Sequence, residues 1–83
     1  MKFNYAKLLG RIKEYGFIHQ TLAKKIGIAP STFSAKLNNK YEFTLTEINA
    51  ICKELDISKD DIGLYFFEQK VQITEQQTEE GEE

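Results

Sequence analysis

The chain has 83 residues, a formal net charge of −2 and one cysteine, so a single small domain with a modest core is expected. Cys52 alone excludes an internal disulfide and suits a reducing compartment, and with a single histidine the chain lacks the side chains for a structural zinc site. No apolar run approaches the roughly 20 residues of a membrane span, and the charges scattered through MKFNYAKLLGRIKEYG do not read as a signal peptide, so a soluble cytoplasmic protein is the expectation.

A first helix is predicted over Tyr5 to Tyr15. Asn4 can cap it, Phe3 and Leu8 are spaced as a hydrophobic staple, and Leu8, Leu9, Ile12 and Tyr15 form its apolar stripe. Gly16 suits the left-handed position after its last turn. A second helix runs from His19 to Ile26, with Leu22, Ala23 and Ile26 on one face and Gly27 as its stop. A third starts at Pro30, whose missing N–H would be unpaired there anyway, and buries Phe33 and Leu37, four residues apart. Asn38 and Asn39 end it, since asparagine tolerates positive φ.

The fourth helix opens on a capping box, Thr44 with Glu47, and a staple, Phe43 with Ile48. Leu45, Ile48, Ile51, Cys52 and Leu55 make a broad apolar stripe, which reads Cys52 as a small core residue. The fifth follows Ser58 as cap, with Asp61 at its third position and Ile57 and Ile62 as staple. Asp60 and Asp61 read as first-turn acids that complement the helix dipole rather than as a catalytic pair. Five short helices with short links imply a compact all-α domain.

Residues 70–74, KVQIT, alternate, with Val71 and Ile73 on one side. They fit either an extended tail packing a few apolar groups or a strand that pairs with its copy in a second chain. Residues 75–83 are charged and apolar-poor, and are expected to be a disordered acidic tail. The charge is divided accordingly. Residues 1–55 hold nine bases against four acids, and residues 56–83 hold two bases against nine acids. A basic body with an acidic end suits a nucleic-acid-binding domain; an ordinary domain with a solubilising tail is the alternative.

Residues 22–40, LAKKIGIAPSTFSAKLNNK, form helix, tight glycine turn, helix, the order of a helix-turn-helix. With Phe33 and Leu37 facing the core, Pro30, Ser31, Thr32, Ser34, Ala35 and Lys36 are left to face out or lie at the rim. Small side chains let a helix approach base edges, hydroxyls donate and accept, and methyl groups touch thymine. Lysines, here Lys36 and Lys40, suit phosphate.

The stretches LLGRIKEYGF, LAKKIGIAPSTFSAKLNNK and EFTLTEINAICKELDIS resemble the phage repressor and Cro-type helix-turn-helix regulators (the XRE group), and a small phage subfamily among them. The resemblance covers about residues 3–67. It implies a five-helix lambda-repressor-like DNA-binding domain over residues 1–67 that acts as a dimer on operator DNA. Residues 68–74 lie outside the resemblance, and it is their alternation that suits an extended dimerisation segment. The resemblance further implies base contacts from Pro30, Ser31, Thr32, Ser34 and Ala35, and phosphate contacts from His19, Asn38, Lys40 and Tyr41. An exposed helix-start residue is the plainer reading of His19.

Three positions depart from that pattern. Ile18-His19 stands where Thr-Gln is usual, Ala29 stands where a Ser caps the third helix, and Asn39 stands where Gly follows it. Loss of the Ser cap costs about 1 kcal/mol. Pro30 and Ala35 offer only apolar contact, so DNA shape is expected to carry more of the recognition. Tyr65, Phe66, Phe67, Val71 and Ile73 are expected to pack across the two-fold axis. A homodimer on double-stranded DNA is the reading, with no cofactor, metal, membrane or small-molecule ligand. A protein-binding module working through the acidic end is the alternative. Catalysis is not expected, with one histidine, no glycine-rich phosphate loop and no nucleophile beside an obvious base.

Overall fold

The computed structural model describes residues 2–69. Among these it is all-α: α1 (Ala6–Glu14), α2 (His19–Ile26), α3 (Pro30–Leu37), α4 (Leu45–Leu55), and a 3-10 turn (Lys59–Asp61) that runs into α5 (Ile62–Phe66). The expected strand pairing and tail, residues 70–74 and 75–83, lie outside the described residues. Just before them, Phe3 and Gln69 form an antiparallel bridge, and the Asn4 N–H donates to the Glu68 carbonyl at 2.6 Å. The chain leaving α5 therefore meets the chain entering α1.

Local chemistry places the helix ends. Gly16 and Gly27 take left-handed φ of 77° and 83° and close α1 and α2. At α4 the capping box forms as expected: the Glu47 N–H donates to Thr44 Oγ1 at 3.1 Å, and the Thr44 N–H donates to Glu47 Oε1 at 3.0 Å. At α2 the cap residue Ile18 has no acceptor to offer the first-turn N–H groups, and the Thr21 hydroxyl makes the return half of a capping box, accepting from the Ile18 N–H at 3.2 Å. Asn4 lies one residue further out than expected. Tyr5 occupies the cap of α1, and Asn4 Oδ1 takes the Ala6 N–H at 2.9 Å. Ser58 caps as expected, accepting from the Asp60 N–H at 3.2 Å, but the turn it starts is 3-10 rather than α.

Leu8 and Ile12 of α1, Leu22 and Ala23 of α2, Phe33 of α3 and Ile48, Ile51, Cys52 and Leu55 of α4 form the core, with Tyr5, Ile57 and Phe66. Phe43, in the loop before α4, sits among Tyr5, Phe33 and Phe66 at ring distances of 5.5, 6.0 and 5.6 Å, edge to face. Such pairs add about 0.5–1.5 kcal/mol each beyond their buried area. Arg11 closes the far side: its Nε and Nη2 donate to the Leu55 and Asp56 carbonyls at 3.0 and 2.9 Å, satisfying the end of α4.

The helical stripes need correcting at their edges. Leu45 is 72% exposed, because the first residue of α4 precedes the turn that reaches the core. Leu9 and Tyr15 are also exposed, and Tyr15 carries the Arg11 guanidinium 4.8 Å over its ring. Phe66 is not a surface residue: it is 1% exposed and packs edge-on against Phe43, because its side of α5 faces the core. Tyr65 is half-buried against that core, whereas Phe67 is half-exposed and lies 5.7 Å from the Phe3 ring.

Candidate nucleic-acid interface

Three residues, Gly27, Ile28 and Ala29, join α2 to α3, and the left-handed Gly27 turns the chain sharply between them. Ala29 supplies no side-chain cap, so Pro30 alone marks the start of α3. The helix is seated by Phe33, fully buried, and by Lys36 and Leu37 one turn later. Ser31, Thr32 and Ser34 are exposed, while Pro30 and Ala35 are half-buried at the rim. Ser31 and Ser34, three apart, share the outer face. The residues expected to face base edges are thus brought together on one short helix.

His19 is exposed at the first position of α2, and its ring meets Phe33 edge-on at 5.9 Å. Asn38, Lys40 and Tyr41 are exposed at the other end of α3, Tyr41 by 65%. The residues assigned to phosphate therefore flank α3 on two sides.

Lys36 does not belong with them. It is 8% exposed, and its ammonium is bound to Glu47 Oε1 of α4. Position 36 falls one turn beyond Phe33, on the seating face, so its stem runs inward and its charge is met by a carboxylate already engaged in the α4 cap. Burial by itself would raise the Glu47 pKa. The hydrogen bonds from Lys36 and from the Thr44 backbone, with the charge of Lys36, outweigh it and hold the carboxyl below its ordinary value.

Asn39 has a role beyond ending α3. It takes the left-handed turn after α3 at φ 66°. Its side-chain amide brackets Phe3: the Phe3 N–H donates to Asn39 Oδ1 at 2.8 Å, and Asn39 Nδ2 donates to the Phe3 carbonyl at 3.0 Å. The positive φ was legible from residue type, but a partner 36 positions away was not.

Cys52 and Tyr5 are titratable groups of the core. Burial pushes the Cys52 thiol up, which disfavours the reactive thiolate. Burial first, and the nearby Glu42 carboxylate second, raise the Tyr5 phenol. Among the described residues no helix is long and apolar enough to cross a membrane.

No curated protein matches the chain. One family model matches residues 1–69, which covers all of the described residues and so α1 to α5. The chain belongs to that family, described as a protein of unknown function (DUF739).

Proposed function

We propose that the chain is a sequence-specific double-stranded DNA-binding transcriptional regulator of the phage Cro/repressor type. It places α3 in the major groove and acts as a homodimer on a two-fold operator. The observation that carries this reading is the two-sidedness of α3. Its inner face is locked by Phe33, Leu37 and the Lys36–Glu47 pair, while its outer face offers only the small hydroxyl side chains of Ser31, Thr32 and Ser34. A helix held this rigidly, with no large apolar side chain outward, fits a groove and can present hydroxyls to base edges. His19, Asn38, Lys40 and Tyr41 flank it at positions suited to the two phosphate walls. Leu64 and Phe67, both about half exposed, offer apolar surface at the end of α5 for a second copy.

Titration of operator variants at several salt concentrations tests the proposal. Ser31→Ala and Thr32→Ala should each lose discrimination at particular base pairs by on the order of 1 kcal/mol. Lys40→Ala should weaken all duplexes alike and lower the salt slope by roughly 0.9. Absence of salt-dependent duplex binding would favour a protein-binding role instead. A Lys40→Ala shift in sequence preference, with none from Ser31 or Thr32, would rule out α3 as the reading helix.

A further inference from the structure

Phe3 and Asn4, ahead of α1, are tied down at two points. The Asn39 side chain holds both backbone polar groups of Phe3, and the backbone at Glu68 and Gln69 pairs with Asn4 and Phe3 on the other flank. The Phe3 ring also packs against Tyr5 and Phe67. This anchoring leaves Lys2 and Lys40, both exposed, one residue from either side of the same side-chain clamp. A short N-terminal arm is thereby delivered to the end of α3, although it is 36 residues away in sequence.

We infer that this arm is a second DNA-backbone contact, with Lys2 held by the Asn39 clamp beside Lys40 so that both cations meet phosphates of one duplex. The inference rests on the reading of α3 given above and extends it to a segment outside the helix-turn-helix. A duplex carries one negative charge per about 1.7 Å of axis, so a cation displaced along the backbone from Lys40 finds another phosphate. Fixing the arm before binding removes the ordering cost that a free terminus would incur. Two carboxylates border it, Glu42 beside Tyr5 and Glu68 opposite Asn4. They reduce the net affinity gained, so the informative readout is the salt slope, which counts displaced counterions.

The experiment uses the full chain and a labelled random-sequence duplex of about two helical turns, titrated between about 50 and 200 mM salt. Lys2→Ala should lower the slope by about 0.9, which makes the fall in affinity over that range about 3.5-fold smaller. Lys2→Arg should retain the parent slope. Lys59→Ala, which removes the same charge from the turn before α5, should leave the slope unchanged. Asn39→Gly keeps the left-handed turn but deletes both hydrogen bonds to Phe3, and in that background Lys2→Ala should lose most of its effect. An unchanged slope in Lys2→Ala, with duplex binding intact, overturns the arm contact and leaves the α3 reading standing. An equal Lys2→Ala effect with and without Asn39 overturns the clamp. A parent protein with no duplex binding overturns both readings together. The Lys2→Ala slope decides the contact even if Asn39→Gly lowers stability, since Lys2 is exposed and outside the core.

Discussion

Breaking the Lys36–Glu47 pair from one side should cost more than breaking it from the other. The two side chains are 10% and 15% exposed, so neither can turn freely to water. Glu47→Ala strands a buried ammonium and also removes the α4 capping box, and a cost of about 3–5 kcal/mol follows. Lys36→Met keeps the apolar stem and leaves Glu47 with the Thr44 N–H at 3.0 Å, which lowers the expected cost to about 2 kcal/mol. Small domains hold only about 5–15 kcal/mol in total, so these are large fractions. The assay is urea unfolding followed by circular dichroism near 15 °C, close to maximal stability for most domains at about 10–20 °C. Lys36→Met, Glu47→Gln and the double variant complete a cycle, whose coupling should be about 1–3 kcal/mol. The pH dependence has a definite sign. The Glu47 carboxyl is lowered in the folded state from an ordinary value of 4.5, so the unfolded chain binds the proton more readily. The stabilisation is therefore present above about pH 4.5 and is lost as pH falls through the lower folded value. Lys36→Met should flatten that acid limb. A cost under about 0.5 kcal/mol, within the range of ordinary surface changes, would refute the argument. So would no coupling together with an unchanged acid limb.

Two further outcomes follow from the fold. Gly27→Ala meets no atom within 4 Å, so any loss comes from the φ of 83°. About 1–2 kcal/mol is expected in urea unfolding, and a neutral result would mean that the turn adopts another conformation. Phe66→Ala should destabilise by about 3–5 kcal/mol as a core truncation, whereas Phe67→Ala, at a half-exposed position, should cost about 1 kcal/mol or less. Unfolding and sedimentation measured on both variants separate core from interface. An unmoved Phe66→Ala melt with a reduced dimer mass would return Phe66 to the subunit contact.

Capping and turn chemistry act within four or five residues, so they were readable along the chain. The Thr44–Glu47 box, the left-handed Gly16 and Gly27, Pro30 opening α3 and Ser58 before α5 all stand where residue type put them. The same periodicity that buried Phe33 and Ile48 fixed the outward hydroxyls of Ser31 and Ser34. Periodicity could not say how wide each buried stripe would be, because that depends on what lies opposite. Leu45 stays in water because it opens α4, a turn short of the core, and Phe66 goes inside because Phe43 is there to meet it. Long polar side chains were the least legible. Lys36 reads as a surface cation until α4 places the Glu47 carboxylate against it, and Asn39 reads as a helix stop until folding brings Phe3 to its amide. These pairings span 11 and 36 residues, beyond the reach of local chemistry, and are created only when the helices pack, since a buried charge or amide is tolerated only where its partner has been delivered.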